Sequence, residues 1–162
     1  MTDNWLTAPQ QVSWRAFLLG TTLLMERLDR DLREKHALSL PEYEILVRLS
    51  ESPDRALRMA ELADSVKNSR SRITHTVRRL EDAGFVVRRA CESDGRGVIA
   101  AMTPAGYAKL STAAPDHVSS VRDGLIDVIA DEDLMVIGRS FGQVAERLET
   151  TRSVPHGCPP PD

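Results

Sequence analysis

The chain has 162 residues and a formal net charge of −3, and hydrophobic residues make up 41% and charged residues 28% of it. This length suits one domain or two closely packed lobes, and the composition is ordinary for a globular protein. The sequence has no run near the roughly 20 apolar residues of a membrane span, and its first residues lack the pattern of a secretory signal. We therefore expect a cytoplasmic protein without membrane contact.

Helical patterns dominate the first part of the chain. Apolar residues recur at helical spacing from about Val12 to Lys35 and predict a long first helix. Ser39 and Glu42 have the spacing of a capping box, with Pro41 early in a second helix that the sequence ESPDR ends. The sequence MAELADSV predicts a short third helix, and we expect Lys67-Asn68 to form the turn after it, since Asn tolerates a left-handed conformation.

The stretch NSRSRITHTVRR, from Asn68 to Arg79, carries four arginines, one histidine and no acidic residue. We expect Ser69 to cap a fourth helix in which Ile73, Val77 and Leu80 form the buried stripe, and Gly84 to end it. From Val66 to Gly97 the chain has eight basic and four acidic residues, a net charge of +4 against −3 for the whole chain. The basic charge is therefore concentrated around this predicted helix.

The second half of the chain begins with two predicted strands, FVVRRA and VIAAM, joined by a hairpin at Glu92–Gly97. Thr103 is expected to cap a helix with Pro104 at its first position, and Pro115 is expected to kink or split that helix. A last helix should open at Asp131. Its apolar residues form a coiled-coil-like seam of Leu134, Ile137, Phe141, Val144 and Leu148. The tail, residues 151–162, is interpreted as disordered.

This order of elements predicts a fold that is mainly α with a small β-hairpin wing (α+β), namely a winged helix-turn-helix plus a helical dimerisation domain. Residues 39–103 would form the DNA-binding lobe, and residues 1–38 and 104–150 the dimerisation domain. The fourth helix would enter the major groove of double-stranded DNA. Arg96, between two glycines, would enter the minor groove from the wing tip, and Asp94 would pair with Arg96 or a neighbouring arginine and aim it.

The helices outside the winged unit bear seams that suit a partner. A two-fold dimer would place two recognition helices about one DNA turn, roughly 34–36 Å, apart. A monomeric helical bundle is the alternative. We expect a homodimer.

Four segments in order make the chain similar to the MarR family of bacterial transcriptional regulators: LSLPEYEILVRLSE, MAELADSVKNSRSRITHTVRRLEDAGFVVRR, DGRG and MTPAG. The resemblance runs from about Trp14 to Leu148, and Asp94, Arg96, Met102 and Thr103 fill the wing signature of the family. It implies a homodimeric repressor that binds a pseudo-palindromic operator and is released by a small molecule. It also implies DNA contact by the recognition-helix residues Ser69, Arg70, Ser71, Arg72, Thr74, His75 and Arg78, and by Arg96 of the wing.

An effector pocket would lie near the first helix, the second helix and the helix after the wing. Trp14, Arg15, Phe17 and Tyr43 are its candidate ligand-binding residues, and an aromatic carboxylate would suit such groups. The alternative is that these aromatic residues form core or dimer contacts.

The sequence also bears on functions other than DNA binding. The sequence has no Gly-rich phosphate loop, nucleophile elbow or metal-ligand cluster of histidines, so we expect no enzyme activity, metal or cofactor. A winged-helix module that binds proteins is one alternative. A redox-responsive regulator acting through Cys91, beside the wing, is another. Arg79, Arg88 and Arg89 either contact phosphates or pair with Glu81 and Asp82.

Overall fold

A computed structural model describes residues 5–91 and 97–152, with side chains as far as residue 150. It confirms a mainly helical fold with a small antiparallel sheet. The helices and strands are α1 Ala8–His36, α2 Leu40–Glu51, β1 Ala56–Arg58, α3 Met59–Ser65, α4 Arg70–Asp82, β2 Val86–Ala90, β3 Val98–Met102, α5 Pro104–Val121 and α6 Asp131–Arg152. The chain divides into two compact units, one up to Val121 and one from Arg122. Predictions for Asp94, Arg96 and the tail beyond Arg152 lie outside the described residues.

Capping boxes set the starts of the first two helices. The predicted box of α2 is confirmed, because the Ser39 and Glu42 side chains each bond to the backbone of the other residue. Helix α1 begins at Ala8, earlier than the predicted Val12. The reason is a second box, in which the Thr7 N–H donates to Gln10 Oε1 at 2.9 Å and the Gln10 N–H donates to Thr7 Oγ1 at 3.4 Å.

Helices α3 and α4 end with the same hydrogen-bond motif. After α4, Gly84 takes a φ of 77° and Phe85 N–H donates to Leu80 O, as the sequence predicted. After α3, Asn68 N–H donates to Ala63 O, which requires the residue before Asn68 to be left-handed. Lys67, with a φ of 52°, therefore takes the conformation that the sequence analysis assigned to the asparagine.

The sheet has three strands in the order β1-β3-β2, and sequence analysis predicted only two of them. Strand β1 was missed because ESPDR and the residues after it carry only a helix-breaking signal. It pairs antiparallel with β3, with Ala56 opposite Ala101 and Arg58 opposite Ile99. On the other side of β3, Arg89 of β2 also lies opposite Ile99.

Helix α5 runs without a break from Pro104 to Val121, so the predicted split at Pro115 is wrong. Packing on both sides of the proline holds the helix, since Ala113 and Ser120 are buried and Ser120 Oγ donates to Asp31 Oδ2 at 2.8 Å. A π-helical turn, Arg122–Ile126, follows.

Thr103 caps α5 as predicted. Its Oγ1 accepts the Gly106 N–H at 3.0 Å and donates to Gly84 O at 2.8 Å, so the start of α5 is tied to the end of α4. A Cβ on Gly106 would clash with the Phe85 carbonyl oxygen, which explains the glycine in the sequence MTPAG.

One hydrophobic core joins the end of α1, helices α2 to α5 and the sheet. Leu46, Leu49, Leu62, Val77 and Val86 are fully buried in it. Each such side chain contributes about 1.5–3 kcal/mol by leaving water. Helix α6 differs, because every described side chain on it except Leu134 is at the surface. In the described part of the chain, no helix combines the length and apolar character needed to cross a bilayer.

Candidate nucleic-acid interface

Helix α4 separates a buried stripe from a polar surface. Ile73, Val77 and Leu80 are at most 3% exposed and anchor it in the core, as predicted. All seven side chains predicted to contact DNA from this helix are exposed: Ser69, Arg70, Ser71, Arg72, Thr74, His75 and Arg78. At about 100° per residue, Ser71 and His75 point almost directly away from the buried stripe.

The hydroxyl groups of α4 are held by the helix itself. Ser69 Oγ accepts the Arg72 N–H at 3.4 Å and so caps the helix, and without an acid at position 72 the cap has one side only. Thr74 Oγ1 donates to Arg70 O at 2.8 Å. The Thr74 hydroxyl therefore keeps acceptor capacity for a partner, while its proton is used within the helix.

The arginines of this region fall into two groups. Arg70, Arg72 and Arg78 form no ion pair with any carboxylate of residues 5–91 and 97–152. In contrast, Arg88 pairs with Glu81, which was one of its two expected roles, and Arg88 Nη2 lies 2.6 Å from Glu81 Oε2. This contact lowers the pKa of Glu81. The first group is available to an external anion, whereas Arg88 is engaged in the fold.

Arg79 pairs with Glu42, a partner that sequence analysis did not anticipate. The Arg79 Nε atom lies 3.0 Å from Glu42 Oε1. The other carboxylate oxygen, Oε2, accepts the Ser39 N–H at 2.7 Å and the Ser39 hydroxyl at 2.6 Å. Because Glu42 is only 5% exposed, this carboxylate is a buried junction between the first turn of α2 and the recognition helix.

Arg58 is a further cation on this side of the lobe that sequence analysis missed. Together with Arg70 it lines a cavity between the end of β1 and the first turns of α4. One signal was present in the sequence: Arg58 immediately precedes α3, at a cap position where Ser, Thr, Asp or Asn is usual.

A separate open cleft of about 410 Å³ lies between α1, α2, the α3–α4 turn and α5. This is the region where an effector pocket was expected. The cleft is lined by Met25, Leu28, Leu40, Tyr43, Glu44, Val47, Arg48, Ser65, Val66, Lys67 and His117. The ring centroids of Tyr43 and His117 are 4.4 Å apart. Burial raises the pKa of Tyr43 and lowers the pKa of His117, so both rings are neutral near pH 7.

The four predicted ligand-binding residues do not lie together. Tyr43 lines the cleft and is only 7% exposed. Trp14 and Arg15 instead line a surface hollow near the start of α1, and Phe17 stacks on Trp14 with ring centroids 5.7 Å apart. These three residues are too early in α1 to reach the cleft, because α1 first contributes to it at Met25.

Cys91 is only 6% exposed. Its backbone N–H donates to Gly97 O at 2.8 Å and continues the pairing of β2 with β3. The redox hypothesis needs an exposed thiol, so the burial of Cys91 argues against it. Within residues 5–91 and 97–152, no three acidic, histidine or cysteine side chains lie close enough together to hold a metal ion.

Comparison with known proteins identifies relatives of this chain. The MarR family model matches residues 38–98. AbsC, a MarR family transcriptional regulator from Streptomyces coelicolor, is 41% identical, with a TM-score of 0.86 over 91% of this chain and 99% of AbsC. Sco3205, a MarR family transcriptional regulator from the same organism solved in complex with DNA, is 43% identical, with a TM-score of 0.87 over 90% of this chain and 91% of Sco3205.

A more distant relative is PecS of Dickeya dadantii, an HTH-type transcriptional regulator, which is 26% identical over 83% of this chain and 81% of its own. All three relatives are described as transcriptional regulators. Their similarity to this chain extends over both the winged lobe and the flanking helices. The protein thus belongs to the MarR family of transcriptional regulators.

Proposed function

We propose that this protein is a cytoplasmic, homodimeric repressor that binds a pseudo-palindromic operator through α4. The outer face of α4 carries the proposal, because Arg70, Arg72 and Arg78 are exposed there without an ion-pair partner among the described residues. Sco3205, whose structure was solved in complex with DNA, supports it at 43% identity. The ion pair of Arg79 with Glu42 contributes by holding the helix in one orientation on α2.

The chemistry of this face fits the major groove, which is about 12 Å wide and admits one helix. Arg78 has the fork geometry to make two hydrogen bonds to a guanine. Ser71 and His75, opposite the buried stripe, would reach deepest, while Arg70 and Arg72 at the flanks suit phosphates. We also propose that Arg96, at the tip of the expected wing, enters the minor groove and that Asp94 aims it.

A fluorescence-anisotropy titration tests this function with a labelled duplex from upstream of the protein's own gene and an unrelated duplex of equal length. Arg78→Ala should weaken binding to the first duplex about 5- to 150-fold, the 1–3 kcal/mol of a base contact. Arg30→Ala removes an exposed cation of α1 and is the matched control.

Two results would contradict the proposal. The first is equal wild-type affinity for both duplexes, which would remove sequence-specific binding. The second is an affinity that does not fall as salt rises, because phosphate contacts release counterions. A salt-insensitive protein would fit the alternative of a winged helix that binds proteins.

Exposed apolar side chains, which a monomer would leave in contact with water, are the reason for proposing a dimer. Along the first part of α1, Val12, Trp14, Leu19 and Leu23 are each at least half exposed. Helix α6 exposes Ile137, Phe141, Val144 and Leu148 along its predicted seam. Monomeric proteins rarely expose such contiguous patches. We therefore assign residues 1–38 and 104–150 to dimerisation and residues 39–103 to DNA binding.

We further propose that an aromatic acid in the cleft beside Tyr43 releases the operator. The neutral rings of Tyr43 and His117, tilted by 41° to each other, offer aromatic surface. Arg48 and Lys67 offer positive charge, against one acid, Glu44. The Nδ1 atom of His117 is buried and has no hydrogen-bond partner among the described residues. Since Lys67 belongs to the turn that leads into α4, a ligand there would shift the recognition helix. Benzoate-class acids added to the titration should therefore weaken binding to the operator duplex.

A further inference from the structure

The first turn of α2 is bonded to both α1 and α4 through carboxylates. On the α1 side, Asp29 Oδ1 accepts the N–H of Leu40, the first residue of α2, at 2.8 Å. On the α4 side, Glu42 Oε1 lies 3.0 Å from Arg79 Nε. Leu40 and Glu42 belong to the same helical turn. This turn therefore connects the helix proposed for dimerisation to the recognition helix.

The bond to α1 is a second attachment point beside the chain itself. Helix α1 ends at His36, and residues 37–39 alone connect it to α2. Asp29 lies about two helical turns before His36, so its contact with Leu40 limits rotation of α2 about the connector. Arg33 Nε donates to Asp29 Oδ2 at 2.6 Å. This bond and the one from Leu40 lower the pKa of Asp29, so it stays charged.

The bond to α4 constrains direction as well as distance. The apolar contacts that anchor α4 in the core are non-directional, whereas a hydrogen bond requires a limited distance and angle. Glu42 is only 5% exposed, and Ser39 occupies its other oxygen with two hydrogen bonds. A buried carboxylate that loses its cation is costly. Orientations of α4 that separate Arg79 from Glu42 are therefore disfavoured.

We propose that Asp29 and Glu42 are positioning residues that together fix the orientation of the recognition helix relative to α1. The inference rests on the operator binding and the dimer proposed above. In a two-fold dimer, this orientation sets the distance and angle between the two recognition helices, and so the half-site spacing that the dimer accepts. Both residues are acids, which phosphates repel, so they act on DNA binding only through the helices that they connect.

The test uses Asp29→Ala and Glu42→Gln in the full chain. Each has a control that removes one negative charge from the same helix. Glu26→Ala removes an exposed acid of α1, and Glu51→Gln removes an acid of α2 whose pair with Arg48 is at the surface. Circular dichroism at the assay temperature verifies that every variant is folded.

Binding is measured by fluorescence anisotropy on three duplexes. Two are the upstream and the unrelated duplex described above. The third is the upstream duplex with one base pair inserted between the two half-sites that the wild-type protein protects in footprinting. The insertion moves one half-site by about 3.4 Å and rotates it by about 35°. The wild-type protein should bind it about 5- to 150-fold more weakly than the upstream duplex, because at least one base contact is lost.

Asp29→Ala and Glu42→Gln should each bind the upstream duplex about tenfold more weakly, the effect of one hydrogen bond to a charged group. Loss of a negative charge alone would strengthen binding to phosphates, so this decrease has the opposite sign to the electrostatic effect. The inserted base pair should weaken binding of both variants less than that of wild type, because a less constrained α4 can follow the displaced half-site. Asp29→Asn keeps an oxygen for the Leu40 N–H and should recover part of the wild-type preference.

Three outcomes would overturn the inference. The first is an Asp29→Ala or Glu42→Gln variant that binds the upstream duplex as tightly as its control. The second is an equal loss on all three duplexes, and the third is a wild-type penalty for the inserted base pair in both variants. If the wild-type protein prefers the upstream duplex and the variants keep its spacing preference, only this inference fails. A wild-type protein without preference between the upstream and the unrelated duplex refutes the proposed function as well.

Discussion

Glu42→Gln removes the charge of a buried junction while keeping its shape. The carboxylate accepts from Ser39 on one side, at 2.6 and 2.7 Å, and from Arg79 on the other, at 3.0 Å. An amide has one oxygen, so its NH2 group must face either the Ser39 donors or the Arg79 guanidinium. A hydrogen bond to a charged group contributes about 1.5–3 kcal/mol. The ion pair with Arg79, which is half-exposed, contributes at most about 1 kcal/mol more.

We therefore expect Glu42→Gln to lower the free energy of unfolding by about 2–3 kcal/mol, or the melting temperature by about 4–12 °C. Urea unfolding followed by circular dichroism measures this at one protein concentration, since dimerisation would couple stability to concentration. Glu51→Gln is the control on the same helix, because its pair with Arg48 is exposed and 3.4 Å long, and it should cost less than about 0.5 kcal/mol. An equal decrease in the free energy of unfolding of Glu42→Gln and Glu51→Gln would show that the buried Glu42 contacts do not stabilise the fold.

Two further predictions concern pH and assembly. Burial lowers the pKa of His117 below its ordinary 6.5 in the folded chain. Between the folded and the unfolded pKa, the unfolded chain therefore binds more protons than the folded chain, and the free energy of unfolding decreases as pH drops below 6.5. His117→Leu should reduce the loss of stability between pH 7 and pH 5, and an unchanged pH profile would contradict this. Ile137→Asp combined with Phe141→Asp should halve the mass in light scattering, because both side chains belong to the exposed seam of α6; an unaltered mass would place the dimer interface elsewhere.

Local signals made much of this protein predictable. Ser39, Ser69 and Thr103 were identified as caps because a cap is completed within three residues of chain. The stripe of Ile73 and Val77, with Leu80, was identified by helical period alone. Once the buried side of α4 is known, the geometry of a helix determines which of its arginines face outward.

The features of the candidate site that sequence analysis missed depend on contacts between distant residues. Glu42 and Arg79 are far apart in the chain, and only the packing of α2 on α4 makes them an ion pair. Trp14 and Tyr43 were grouped by residue type, but the length of α1 separates them, so only Tyr43 lines the cleft.

The sequence by itself determined the order of the helices, the caps at Ser39, Ser69 and Thr103, and the basic face of α4, because these follow from residue patterns a few positions long. Only the tertiary structure decided which carboxylate an arginine meets, as Arg79 and Glu42 show. It also decided the position of Arg58, because the strand that carries this residue has three residues, too few for a periodic signal, and is stabilised by pairing with β3. That pairing brings Arg58 to a cavity that Arg70 also lines.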